Sequence, residues 1–337
     1  MLFALAKALG AKVETRLMAT AKSATGTEPG PAAPSRSRVA SVETLRLRDG
    51  RMLCARKWPG SGPGTLVVLH GLLDSAEGWT CVCEQVSAGS IVFDLPGFGY
   101  SDAPARGSID GYAGDVAEGL EMLGVESFVL LGHSLGGAIA AAVAELMPER
   151  VRALVLLAPA GFGRIHLAEA VSIPGVRNMV QAGLPLALSS RVAVTAAYMT
   201  MITSGRHPER EIVDRVTDRG GALVDGAREG TRAVAESGRS RDAFHRRRVD
   251  YDGPVTAIWG DRDRLVPVSH RRGVKVAFPH ARIQIWPRMG HHAVRERFDG
   301  LLAVVHAAVT NARAVPAQPP GTAPDIQPAA FDGVAAG

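Results

Sequence analysis

The runs "TLVVLH" (65–70), "SIVFDL" (90–95), "SFVLLG" (127–132), "ALVLLA" (153–158), "PVTAIW" (254–259) and "ARIQIW" (281–286) recur along the chain, with helix-like stretches such as 111–123 and 135–147 between the earlier ones. This alternation limits the fold more than any other feature. Successive side chains of a strand point to opposite faces, so a strand wetted on one side alternates apolar and polar residues. Runs that are apolar at nearly every position need cover on both faces, which suits a buried, mostly parallel central sheet with helices on both sides. The pattern predicts an α/β fold. Ahead of it, "TLRLR" (44–48) and "MLCARKW" (52–58) straddle Asp49-Gly50, a hairpin signal.

The strand rhythm stops after Pro159 and resumes near Pro254. Residues 160–248 carry helical patterning and no clear strand. They predict a helical cap inserted after the sixth strand, sitting over the edge where the strands end. The stretch 165–202 is largely apolar, and Met179, Met199 and Met201 read either as lining for an apolar substrate or as the cap's own core. "HRRR" (245–248) reads as the solvated end of a cap helix, with contact to an anionic substrate as the alternative. The core then comprises 42–159 and 249–312. Residues 23–41 are a Pro/Gly/Ser-rich linker, and 313–337 are a Pro/Ala-rich tail too poor in large apolar residues to fold. In residues 1–22, Leu2, Leu5, Leu9, Val13 and Leu17 step by three or four along a helical stripe. That segment reads as an amphipathic helix making peripheral membrane contact, or as a docked or poorly ordered leader.

Composition narrows the function classes. The net charge of +5 is mild and the basic residues are scattered, which gives nucleic-acid binding little support. Cys54, Cys81 and Cys83 fit neither a disulfide framework nor a zinc site, and a reducing, cytoplasmic setting is expected. No apolar run reaches the ~18 residues of a membrane span. No metal-binding cluster and no dinucleotide fingerprint appears, so neither metal nor cofactor is expected.

The chemistry gathers at the predicted strand ends. Gly132-His133-Ser134-Leu135-Gly136 is a G-x-S-x-G match between a predicted strand and a predicted helix, the setting a nucleophile elbow requires. A serine hydroxyl needs a base to take its proton. "GHH" supplies His291 and His292 in the loop after the last strand, and the residues alone barely separate them. The base in turn needs a carboxylate, and "IWGDRDRLVP" offers Asp261 and Asp263 just after a strand. The other candidate loop, after "ALVLLAPAG", has no carboxylate. Oxyanion donors would be the backbone N–H groups of Leu135 and Leu72.

With "VLHGLLDSAEGW", "DLPGFGYSD", "LLGHSLGGA", "IWGDRDRLVP" and "GHHAVRERF" in this order, the chain from about 42 to 310 resembles the α/β-hydrolases with a helical cap. The resemblance implies Ser134 as nucleophile, Asp263 rather than Asp261 as acid, His291 rather than His292 as base, and Leu72 and Leu135 at the oxyanion hole. Serine at 134 separates the chain from relatives that use a carboxylate nucleophile. The implied activity is hydrolysis of a carboxylic ester of an apolar acyl or alicyclic substrate. Alternatives are C–C bond hydrolysis of ring-cleavage products, thioester hydrolysis, cofactor-free haloperoxidase-like chemistry, acyl transfer, or a non-catalytic binding module.

Overall fold

The computed structural model of the chain describes residues 40–220 and 223–312. The N-terminal segment 1–22, the linker apart from its last two residues, and the tail 313–337 lie outside the described residues. Eight strands form one sheet in the order β1-β2-β4-β3-β5-β6-β7-β8. β1 (Ser41–Arg46) and β2 (Met52–Trp58) pair antiparallel. Leu47 and Arg48, read from the sequence as strand, belong instead to the turn, where Leu47 N–H bonds Arg51 O at 2.8 Å. Gly50, at φ 88°, takes the left-handed position that a side chain would disfavour.

β2 also runs antiparallel to β4 (Ala88–Phe93). Every other pairing is parallel, through β3 (Gly62–Leu69), β5 (Phe128–His133), β6 (Val151–Leu157), β7 (Val255–Gly260) and β8 (Arg282–Trp286). Helices α1 (Thr80–Gln85), α2 (Ile109–Met122) and α3 (Leu135–Leu146) follow β3, β4 and β5. After β6 come α4 (His166–Val171), α5 (Pro174–Ser189), α6 (Arg191–Ala197), a π-helical turn (Tyr198–Ile202), α7 (Arg210–Asp218) and α8 (Leu223–Arg239). These five helices are the cap. α9 (Arg271–Ala277) follows β7, and α10 (Ala293–Glu296) and α11 (Phe298–Ala312) follow β8.

Both faces of the sheet are covered, which explains the near-continuous apolar strands. Val67, Leu69, Leu130, Leu154 and Leu156 pack on one side with Tyr112, Val116 and Leu120 of α2 and the alanines of α3. Their strand neighbours Leu66, Val68, Val129, Leu131 and Val155 pack on the other with Val82 of α1 and Leu301, Val305 and Val309 of α11. Each such side chain, fully buried, contributes roughly 1.5–3 kcal/mol by transfer from water. The parallel strands all end at one edge, and the connections there carry the site. Among the described residues no helix is long and apolar enough to cross a membrane.

Candidate active site

Ser134 sits between β5 and α3 at φ 54°, ψ −116°, a backbone region that costs a non-glycine residue of order 1–3 kcal/mol. The surrounding structure holds it there. Ser134 N–H bonds Leu157 O at 2.9 Å, and Ser134 O accepts from Gly137 N at 2.9 Å and Ala160 N at 3.0 Å. The glycines on either side are required sterically. A Cβ on Gly132 would strike the Gly136 carbonyl, and one on Gly136 would strike the carbonyl of Leu69. Ser134 is therefore no ordinary N-cap. Its side chain accepts no capping bond, and among the described residues its hydroxyl has no hydrogen-bond partner.

Asp263 follows β7 and His291 follows β8, and the fold brings them together. Asp263 Oδ2 lies 2.8 Å from His291 Nδ1. Asp263 Oδ1 accepts from the amides of Leu265 and Val266, both at 2.9 Å. Both oxygens are thus engaged, and the Asp263 side chain is fully buried. This contact orients the imidazole with Nδ1–H toward the carboxylate and leaves Nε2 as the basic nitrogen. Asp261 is exposed and makes no such contact. His292 turns away and lies 3.9 Å from Asp74 Oδ2. Burial, with His133 and Arg295 nearby, holds its pKa well below the ordinary value, so this neutral imidazole forms no ion pair with Asp74.

Leu72 lies in the loop after β3, beside the elbow. A Cβ on Gly71 would sit 3.2 Å from Ser134 Cβ. Leu135 is the first residue of α3, where N–H groups have no partner inside the helix. Among the described residues neither the Leu72 nor the Leu135 amide finds an acceptor. His70 orients the loop. Its Nδ1 is 2.7 Å from Gly71 O, and its Nε2 accepts from Leu95 N at 3.0 Å. The Gly71 carbonyl belongs to the same planar peptide as the Leu72 N–H, so holding one aims the other.

Three supporting residues escaped the sequence reading. His133 lies inside the motif itself, and its Nε2 donates to His291 O at 3.0 Å. Burial, then the charge of His291, pushes its pKa down to about 3, so it stays neutral. Ile202, in the cap, accepts from His291 N–H at 2.7 Å. Glu296 joins the two segments, accepting from Gly290 N at 2.9 Å and from Ser204 N at 2.9 Å and Oγ at 2.6 Å. No local pattern marks the bonds from His291 to Ile202 or from Ser204 to Glu296, because each spans about ninety residues.

In the cap, Met179 is 74% exposed and packs neither a core nor a pocket, whereas Met199 and Met201 are half-buried. The basic run 245–248 is held by structural pairs. Arg247 binds Glu145, and Arg248 Nη2 lies 2.9 Å from Asp252.

The family model described as alpha/beta hydrolase fold matches residues 64–209. The chain is 31% identical over 246 residues to a dihydrolipoyllysine-residue acetyltransferase component of an acetoin cleaving system from Pseudomonas putida. That match covers 72% of this chain and 62% of the relative, so the chain spans less than two thirds of that protein. It is 29% identical to a 2-hydroxy-6-oxononadienedioate/2-hydroxy-6-oxononatrienedioate hydrolase from Paraburkholderia phymatum, over 72% of this chain and 87% of that one. The solved structure of a thermophilic esterase superposes with a TM-score of 0.62 at 21% identity, covering 81% of this chain and 99% of that one. Sheet order, cap insertion and these likenesses agree: the chain has the α/β-hydrolase fold.

Proposed function

We propose that the protein is a serine hydrolase that cleaves a carboxylic ester of an apolar acyl or alicyclic substrate through an acyl-enzyme. Ser134 Oγ attacks the acyl carbon while His291 Nε2 takes its proton. The amides of Leu72 and Leu135 hold the oxyanion of the tetrahedral intermediate, where preorganised donors contribute most. His291 then gives the proton to the leaving alcohol, breaking the ester bond. Water, deprotonated by His291, attacks the acyl-enzyme and releases the acid and Ser134. Asp263 stays ionised and stabilises the imidazolium. Hydrogen bonds between nucleophile and base often tighten only once substrate binds.

The observation that carries this reading is the 2.8 Å Asp263–His291 contact, set beside a serine held at positive φ. Ser134→Ala should abolish turnover of a short p-nitrophenyl ester with the circular dichroism spectrum unchanged. Unaltered turnover would overturn the assignment. Likeness to the oxononadienedioate hydrolase favours one second reading, C–C bond hydrolysis of a ring-cleavage product. Turnover of such a dienone, with no turnover of esters of any chain length, would select it.

A further inference from the structure

One short stretch of the cap, residues 200–206, runs from the π-helical turn toward α7 and is tied to both loops that carry the base and the acid. Ile202 O accepts from His291 N–H at 2.7 Å. Two residues on, Ser204 gives its N–H and its hydroxyl to Glu296 Oε2, at 2.9 Å and 2.6 Å. The hydroxyl also lies 3.2 Å from Arg288 O on the same loop. The other carboxylate oxygen, Oε1, accepts from Gly290 N at 2.9 Å. Arg206 Nη1 donates to Arg295 O at 3.0 Å. Arg264, next to Asp263 in the acid loop, donates from Nη1 to Thr200 O at 3.0 Å.

The local sequence suits this close approach. A Cβ on Gly290 would lie 2.8 Å from Thr203 C and 2.9 Å from both Ile202 O and Glu296 Oε1, so a side chain there would push the cap backbone off the loop. Thr203 is buried. Its N–H bonds Tyr198 O at 2.8 Å and its hydroxyl bonds Arg206 O at 2.6 Å, which holds the stretch in its own turn. Hydrogen bonds to an ionised carboxylate are shorter and roughly twice as strong as neutral ones, which makes Glu296 the strongest single tie between the cap stretch and the loop.

His291 is thereby held at three points. Asp263 Oδ2 takes the side chain at Nδ1, 2.8 Å away. His133 Nε2 donates to the backbone carbonyl at 3.0 Å. The third hold is the His291 N–H, and its acceptor is the cap. The Gly290 N–H, one peptide earlier, is fixed by Glu296, which Ser204 grips in turn. The partners of the first two holds belong to the core, whereas the third moves with the cap. Withdrawing residues 200–206 frees the backbone that leads into His291 and lets the imidazole drift from Asp263. A misplacement of about 1 Å at a reacting group can cost about a hundredfold in rate.

We propose that Ser204 and Glu296 are positioning residues that couple the seating of the cap to the placement of His291, so that the base is set for proton transfer only while residues 200–206 lie on its loop. This rests on the reading of Ser134 and His291 given above. Both residues act through the backbone ahead of His291. Glu296→Ala should lower kcat for a short p-nitrophenyl ester by about 10–100-fold, with KM changed by less than about twofold. Ser204→Ala, which leaves its backbone N–H to bind Glu296, should lower kcat by about three- to tenfold. Ser204→Thr, which keeps the hydroxyl, should restore it. The protein with Ser204→Ala and Glu296→Ala together should be about as slow as Glu296→Ala alone, because the hydroxyl acts through that carboxylate.

A second readout needs no turnover. The low-field proton signal of His291 Nδ1–H against Asp263 is followed by NMR with each variant placed on a Ser134→Ala background, and His291→Ala supplies the blank. The signal should broaden or vanish in Glu296→Ala at temperatures where the circular dichroism spectrum is unchanged, and persist in Ser204→Thr. If Glu296→Ala does not fold, Ser204→Ala decides by the same two readouts. A lowered melting temperature with kcat and the proton signal unchanged would reduce the pair to a strut of the cap and overturn the proposal. A raised KM with unchanged kcat would also overturn it, leaving the cap as a substrate wall alone. Loss of the proton signal in Glu296→Ala, in a protein that with Ser134 intact turns over no ester, would uphold the coupling and count against the Ser134 reading.

Discussion

Two helices of the cap meet their surroundings in opposite ways. α8 lies flush on the elbow side of the core. A Cβ on Gly226 would strike the Gly97 carbonyl, and one on Gly230 would meet Leu72 Cδ1 at 2.5 Å and Leu135 Cδ2 at 3.0 Å. Gly226 thus lets this helix approach the core backbone, and Gly230 lets it touch the two residues proposed as oxyanion donors. α5 and α6 turn apolar side chains to water, with Met179, Leu186 and Val192 exposed at 74%, 78% and 81%. The cap therefore has a fixed half and a loosely held half. The fixed half is part of the wall around Ser134, and the other half leaves these apolar side chains in water and packs mainly on other cap helices rather than on the core.

The largest effect is expected in the chemistry itself, which the fixed half borders at Leu72 and Leu135. Asp263→Asn should keep the fold and lower kcat for an ester substrate by about 10³–10⁴-fold, through loss of the tautomer that leaves Nε2 basic. A drop below about tenfold, measured by steady-state kinetics, would detach Asp263 from the mechanism.

Acid should attack the same region. His133 and His292 are held neutral in the fold, His133 with a pKa of about 3 against 6.5 for the free side chain. The unfolded chain binds these protons more readily, so the stability associated with the neutral forms is complete above pH 6.5 and is lost as pH falls from there toward 3. Each group should contribute a slope of about 1.4 kcal/mol per pH unit within its window. Denaturant midpoints against pH should show this fall in the wild-type protein and a shallower one in His292→Asn. Equal slopes would remove His292 from the explanation.

Smaller effects separate the two halves of the cap directly. Gly226→Ala forces backbone against backbone and should cost about 1–3 kcal/mol. Leu186→Ser, on an exposed side chain, should stay within about 0.5 kcal/mol. Thermal melts that rank the two the other way would reverse the assignment of fixed and loose halves.

The core was legible because its signals are local. Strand runs, the strand–glycine–serine–helix junction and the order of Ser134, Asp263 and His291 can all be read within windows of about ten residues. The choice of Asp263 over Asp261, and of His291 over His292, needed the family resemblance, since each pair is chemically alike at nearly the same place. In the structure the members of each pair differ in their surroundings. One carboxylate is sunk among the Leu265 and Val266 amides, and one imidazole faces it. Glu296 and Ile202 were not legible. Their contacts with Ser204 and His291 join segments far apart in sequence, and an isolated Glu in a helix reads as solvated surface. The contacts of Gly226 and Gly230 were hidden for the same reason, because a glycine in a helix carries no sign of what approaches it.

The most direct test of the account is labelling by a fluorophosphonate probe, read by intact mass and peptide mapping. One adduct per chain is expected, on the peptide bearing Ser134, formed far more slowly in Asp263→Asn and His291→Ala proteins that remain folded. An adduct on another residue, or labelling of Ser134→Ala at the wild-type rate, would contradict it.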